Sequence, residues 1–368
     1  MGRRKEEGKK KSMYNRKDLK YINESDLYFS ELRGNKVYCW NRGNDIDPTD
    51  VSGSRKCPVF LDVNTNEEFL VKTIRRSEKE KQYQRAVFCP NGVENVFWPV
   101  DLLKISDTAV QAPWMESTFG IAEDEEYTGQ EEWMIALFPC RNYGVSKTVQ
   151  DELSQFHKIN WREQRIQSLI LRILEGFQKL NEQGWLCLDL DFTHLYLRDD
   201  GSIFFSYSDL LIAQNKAQRW GREGTLKKGE YPVEFAEPAL VQGQYIPADL
   251  RMQNYGLAAM LFYLMIGRYP YDGPLMAGIT DTNEIEHIHK FEVYHKNPVF
   301  IFDEQDTSNH LGEFAADGRV MELWEELPAT VRILFQRALG KTSALRTVPD
   351  QNASPKEWLD CLKSEGWK

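Results

Sequence analysis

Apolar residues recur at two different periods along this chain, and the change of period divides it. From about Leu27 to Phe138 the apolar residues come in short runs rich in β-branched and aromatic side chains. Val37-Tyr38-Cys39-Trp40, Pro58 to Val63, Glu68 to Ile74 and Met134-Ile135-Ala136-Leu137-Phe138 read as strands. Asn64-Thr65-Asn66 supplies turn formers between two of them and predicts a hairpin. Ser77 is placed to cap a helix, with Glu78 and Glu80 in a first turn that the backbone dipole favours. The acidic stretch Glu123 to Glu132 reads as a solvated hairpin tip.

The second period is helical. Ile166, Leu169, Ile170, Ile173, Leu174, Phe177 and Leu180 share one helical face, and Gly184 stops that helix. Leu195-Tyr196-Leu197 and Ile203-Phe204-Phe205 read as strands joined by the turn signal Asp199-Asp200-Gly201. Gly256 to Ile266 is apolar all round, the pattern of a helix buried on every side. Pro274 to Glu326 shows little periodicity and is expected to wrap the surface. Val331, Leu334, Phe335, Ala338 and Leu339 return to helix, and Pro355 to Leu362 forms another, with Ser354 as N-cap. The sum is an α+β chain: a flexible basic tail over 1–20, a strand-rich part over 21–138 and a helical part over 139–368.

Composition narrows the classes. With 368 residues, 41% hydrophobic and 28% charged, the chain can bury more than one sub-core. A net charge of −10 offers no general basic field for nucleic acid or an anionic membrane. Arg3, Arg4, Lys5, Lys9, Lys10 and Lys11 run against that trend, as a solvated tail or a contact for an acidic partner. The longest apolar stretch, Tyr255 to Ile266, is well short of the ~20 residues of a membrane helix. The charged start is not followed by the apolar run of a signal peptide. The six cysteines are scattered without a CxxC pair, as suits a reducing compartment. A soluble cytoplasmic protein is expected.

The order of elements then carries a resemblance. A strand ending in Phe69-Leu70-Val71-Lys72 is followed by an acidic helix and a long amphipathic helix. The loop Cys187-Leu188-Asp189-Leu190-Asp191-Phe192-Thr193-His194 comes next, then a hairpin closing at Ser206-Tyr207-Ser208-Asp209. This resembles the bilobal protein kinase-like fold, a strand-rich N-lobe and a helical C-lobe. Phe69 to Lys72 is similar to the V-A-I-K strand, Cys187 to His194 to H-R-D-L-x-x-x-N, and Tyr207 stands near the D-F-G aspartate position. Gly267-Arg268-Tyr269-Pro270-Tyr271, the segment Phe235 to Ala239 and Arg346 resemble further kinase landmarks. Trp98-Pro99-Val100-Asp101-Leu102-Leu103, Asn160-Trp161-Arg162 and Gly256 to Phe262 are similar to bacterial kinase-like proteins encoded with metal-dependent phosphatases and von Willebrand A-type proteins. The resemblance implies a protein partner of one of those kinds, and no nucleic acid or membrane.

The resemblance assigns roles residue by residue. Lys72 takes the phosphate-binding position, Glu78 or Glu80 its carboxylate partner, and Phe138 and Cys140 flank the nucleotide. Asp189 takes the base position. Phosphoryl transfer is mostly electrostatic and needs metal as well as a base. The two metal-ligand positions hold His194 and Tyr207, an imidazole and a phenol where magnesium prefers carboxylate and carbonyl oxygen. Asp209, or Asp191, is the available rescue. The glycine-loop positions read as Ser30, Leu32 and Asn35, and Gln253 replaces the aspartate usual at the start of the buried helix, with Asp249 nearby as a stand-in. The reading is therefore a pseudokinase that regulates or docks, with magnesium not expected. An active atypical Ser/Thr kinase using ATP with Asp189 as base, and a metal-independent ATP sensor, stay open. His287 and His289 lack further ligands at metal spacing, and Asp189 with Asp191 is not spaced as a converging dyad. Trp98, Trp133, Trp161 and Trp185 read as packing residues.

Overall fold

The computed structural model describes residues 27–30, 32–33, 36–40, 59–75, 83–84, 87–88, 93–104, 133–139, 145–188, 190–206, 211–213, 234–238, 250–276, 288–312, 317–341 and 352–368. The fold mixes helices with small, largely antiparallel sheets, as an α+β chain should. It divides into two compact units, Met1–Gly92 with Phe97–Val145, and Val93–Val96 with Ser146–Lys368. The sequence reading drew its boundary at 138/139 and kept 93–96 with the strands. Asn95 gives the reason for the crossover. Its Nδ2 donates to the Gly176 carbonyl at 2.9 Å, its Oδ1 accepts from Gln183 Nε2 at 3.1 Å, and its carbonyl accepts from Phe205 N at 2.9 Å.

The first unit contains β1 (Leu27–Phe29), β2 (Val37–Trp40), β3 (Val59–Asp62) and β4 (Glu68–Arg75). After β5 (Val96–Phe97), which joins another sheet, come β6 (Asp101–Lys104) and β7 (Trp133–Pro139). The six-stranded sheet runs β1-β2-β3-β4-β7-β6, every pair antiparallel. Phe69 and Val71 alternate onto its buried face, the period of two expected of a half-buried strand. The turn after β3 is built by Asp62, whose Oδ1 accepts from the backbone N–H of Asn64 and Thr65, while Asn66 takes φ 60°. The two ends of the strand order are tied by a bridge between Ser30 and Leu103.

That tie centres on a buried aspartate. Asp101 is 1% exposed and accepts from Ser30 Oγ at 2.7 Å, Tyr38 Oη at 2.8 Å and Leu102 N at 2.9 Å. Ser30 Oγ in turn accepts from the N–H groups of Leu32 and Arg33. Burial, then the nearby Asp101 charge, raises the Tyr38 phenol far above its ordinary value, so it stays a neutral donor.

The second unit opens with β8 (Val145–Thr148) and α1 (Val149–Ser154), where Thr148 and Asp151 form a reciprocal capping box. α2 (Gln164–Glu182) buries the face predicted from Ile166 to Leu180. Next come β9 (Trp185–Cys187), the hairpin of β10 (Leu195–Arg198) and β11 (Ile203–Ser206), and β12 (Leu211–Ala213), which pairs with β9. Gly201 turns the hairpin at φ +81°, a conformation costly for residues with a Cβ. α3 (Leu250–Ile266) is buried on nearly every side from Met252 onward, in keeping with the apolar run Gly256 to Ile266. α4 (Asp317–Glu326), α5 (Ala329–Leu339) and α6 (Pro355–Ser364) complete the unit. Phe262 of α3 packs against Phe300, Phe302, Trp324 and Phe335, an aromatic hub for the helices around it. α4 lies inside the segment expected to lack periodicity; its buried Val320, Leu323 and Trp324 make one short apolar stripe. No helix among the described residues is long and apolar enough to cross a membrane.

Candidate functional site

The loop after β9 is the best-anchored irregular segment among the residues singled out by sequence. It is held from beneath by α3. Gln253 is fully buried, and its Oε1 accepts from the Cys187 N–H at 3.0 Å, joining positions 66 apart in sequence. Gln253 Nε2 is also buried and finds no hydrogen-bond partner among the described residues. One turn along α3, Gly256 lets the loop lie against the helix. A Cβ there would stand 2.2 Å from Leu190 Cδ1 and 2.4 Å from the Phe235 carbonyl oxygen.

The far end of the loop is anchored separately. Phe192 is buried edge-on against Phe235, at a ring separation of 5.2 Å, and contacts Tyr263 at 5.6 Å. Its carbonyl accepts from Gln150 N at 3.1 Å. Asp191 closes a tight turn: Oδ1 accepts from Thr193 N at 2.8 Å and from Thr193 Oγ1 at 2.9 Å, and its carbonyl accepts from His194 N at 3.0 Å. One carboxylate oxygen of Asp191 is therefore committed to local structure. Leu188 and Leu190 are both buried, so the positions on either side of Asp189 are fixed by packing.

β12 pairs with β9 in an antiparallel ribbon, with Leu211 opposite Cys187. Asp189, Tyr207 and Asp209 themselves lie outside the described residues, as do Glu78, Glu80 and Cys140.

In the first unit, Lys72 sits in the middle of β4 with Ala136 of β7 as its register partner. Phe138, buried, lies opposite Leu70 in the same strand pair. The sheet thus brings the Lys72 and Phe138 positions onto adjacent strands, offset by two residues. Ser30, read as a glycine-loop position, is instead a buried turn residue whose hydroxyl holds the Asp101 knot. Leu32 and Arg33 bend over that same oxygen.

One of the two histidines singled out as a possible metal pair is described. His289 bonds the Leu275 carbonyl through Nε2 at 2.7 Å, a positional contact, and His287 lies outside the described residues. No group of three or more His, Cys, Asp or Glu is gathered for a metal among the described residues. Gln253 was visible in the sequence as a substituted position; its bond to Cys187 was not, because no local pattern encodes a contact across 66 positions. Asn95 carried no sequence signal either.

No protein-family model matches this chain, and no curated protein matches it in sequence.

Proposed function

We propose that this chain is a protein kinase-like domain that works as a pseudokinase, a regulatory or docking module in phospho-signalling. The observation that carries the reading is the bond from Cys187 N to Gln253 Oε1. In the resemblance, Gln253 stands where an aspartate usually starts the buried helix. Its amide oxygen accepts from the backbone of the segment that leads to Asp189, which supports a structural link between that helix and the loop. The order that follows supports the same reading: a long amphipathic α2, the anchored loop 187–194, the β10–β11 hairpin, a strand returning to pair with β9, and a helix buried on all sides.

The chemistry argues for a lost metal. The asparagine position is His194, and the D-F-G aspartate position is Tyr207. Asp191, one of two carboxylates that could compensate, has one oxygen occupied by the Thr193 turn. A base at Asp189 without a metal-bound nucleotide has nothing to activate. The partner this reading calls for is a protein, a phosphatase or a von Willebrand A-type protein being the kinds the resemblance names.

The test is phosphotransfer from γ-labelled ATP to the chain itself and to generic Ser/Thr substrates, with magnesium and with manganese. The expected result is no transfer above an Asp189→Asn control. Transfer that depends on a divalent ion and is abolished by Asp189→Asn would overturn the reading in favour of an atypical active kinase.

A second reading has its own support. Lys72 lies mid-strand in β4 with Ala136 of β7, the strand that carries Phe138, as its register partner, which supports a fixed backbone position for a phosphate-binding lysine. On that reading the chain senses ATP without turning it over.

A further inference from the structure

The second unit carries a groove that involves none of the candidate site positions described above. Its volume is about 450 Å³, within the range of small-ligand sites. One wall is the α2 face bearing Arg165, Ser168 and Arg172, spaced so that all three lie on one side of the helix. The opposite wall is the β10–β11 turn, Leu197 to Gly201, and Lys147 and Glu152 close one end. Leu169 and Leu197, both buried, give the groove an apolar floor.

The charges are unevenly satisfied. Glu152 serves two cations at once: Lys147 pairs with it, and Arg165 donates to it at 2.6 Å. Asp200 is occupied by its own turn, accepting from Ser202 N at 2.8 Å and Ser202 Oγ at 2.6 Å. Arg198 stacks over Phe204 at 4.9 Å and stands 3.7 Å from Asp200. Arg172 is exposed and makes no hydrogen bond or ion pair among the described residues. Its guanidinium lies against Gly201, at 2.7 Å from where a Cβ would be, so the bare glycine is what lets it reach the turn. Gly201 N donates to the Arg198 carbonyl, which closes the turn that Arg172 lies against.

The geometry points to this groove as a binding site for a phosphomonoester, with the phosphate at the Arg172 guanidinium beside the Gly201 turn and its organic body over Leu169 and Leu197. A guanidinium is a planar fork matched to phosphate oxygens, and Arg172 has that fork unspent. Ser168 adds a hydroxyl on the same helical face. Asp199 lines the groove too and opposes an anion, which fixes the sign of a second test. The phosphomonoester comes either from a phosphorylated protein segment or from a small organic phosphate; the chemistry at the guanidinium is the same.

The experiment is calorimetric titration of the full chain with phenyl phosphate, inorganic phosphate, and a phosphoserine peptide beside its unphosphorylated form. Phenyl phosphate is expected to bind more tightly than inorganic phosphate. Arg172→Gln, a substitution that preserves helix propensity, should weaken it about tenfold or more, and Asp199→Asn should tighten it. Arg198→Gln, at a guanidinium stacked over Phe204, should weaken it less than Arg172→Gln does, with the melting temperature of each variant confirming the fold. A phosphopeptide binding more tightly than phenyl phosphate supports the site and assigns a protein source; equal or weaker binding than phenyl phosphate supports it with a small-molecule source. No binding of any of these probes at millimolar concentration, or binding indifferent to both Arg172→Gln and Asp199→Asn, overturns the proposal. None of these residues takes part in the pseudokinase reading, so either can fail alone.

Discussion

Asp101 shows how much one buried side chain organises. A carboxylate taken out of water is costly unless its oxygens are filled, and Asp101 fills them with the hydroxyls of Ser30 and Tyr38 and the Leu102 N–H among the described residues. The three donors come from β2, from β6 and from the residue that follows β1, so the bonds tie together the strands at the two ends of the sheet order. Tyr38 also packs edge-on against Phe69 at 5.5 Å, which couples the polar knot to the apolar face. Asp101→Ala is expected to destabilise the strand-rich unit by about 3 kcal/mol, since it strands two buried hydroxyl donors. Tyr38→Phe should cost less, about 1 kcal/mol, because the carboxylate keeps its other donors. Chemical denaturation of both single variants and the double would measure the coupling. Additive effects would mean that the two groups do not share a bond that matters.

At the scale of elements, the question is what fixes the loop 187–194 on α3. Gln253→Leu keeps the apolar volume but removes the acceptor for Cys187 N, leaving a buried N–H unpaired at a cost of about 1–3 kcal/mol. The sharper readout is hydrogen exchange at the Cys187 amide, which should accelerate in the variant more than amides of α2 do. Unchanged protection at Cys187 would show that packing of Leu188 and Leu190 holds the loop without the amide. The sequence made α3 readable because it is apolar on every side, and made α2 readable because its buried face repeats over five turns. β8 and α1 were missed although Thr148 and Asp151 formed a legible cap signal, since six residues give too little period to read. α4 was missed for the same reason: Val320, Leu323 and Trp324 are a single stripe within a charged stretch. Long-range anchors such as Gln253 and Asn95 have no local signature at all, and these are the contacts that position the site.

At the scale of the whole molecule, the sequence conveyed the change from strand-rich to helical chain, and the two compact units follow it except at Val93–Val96. That short segment belongs with the helical unit because Asn95 spends its backbone and side chain on Gly176, Gln183 and Phe205, a choice no composition shift could reveal. The proposed chemistry turns on whether the chain binds a nucleotide at all. Linkage decides this without assuming catalysis. A ligand that binds the folded chain stabilises it by RT ln(1+[L]/Kd), about 2.7 kcal/mol at a hundred times Kd. If the chain senses ATP without metal, thermal unfolding shifts upward with ATP, the shift survives chelator, and Lys72→Ala removes it. If magnesium carries the phosphates, the shift vanishes in chelator even with Lys72 intact. If the chain is a docking module that has abandoned nucleotide, ATP leaves the unfolding curve unmoved with or without metal, and Lys72→Ala changes nothing in it. Since the measured quantity is the stability of the folded chain itself, the outcome does not depend on knowing a substrate, and each of the three results excludes the other two.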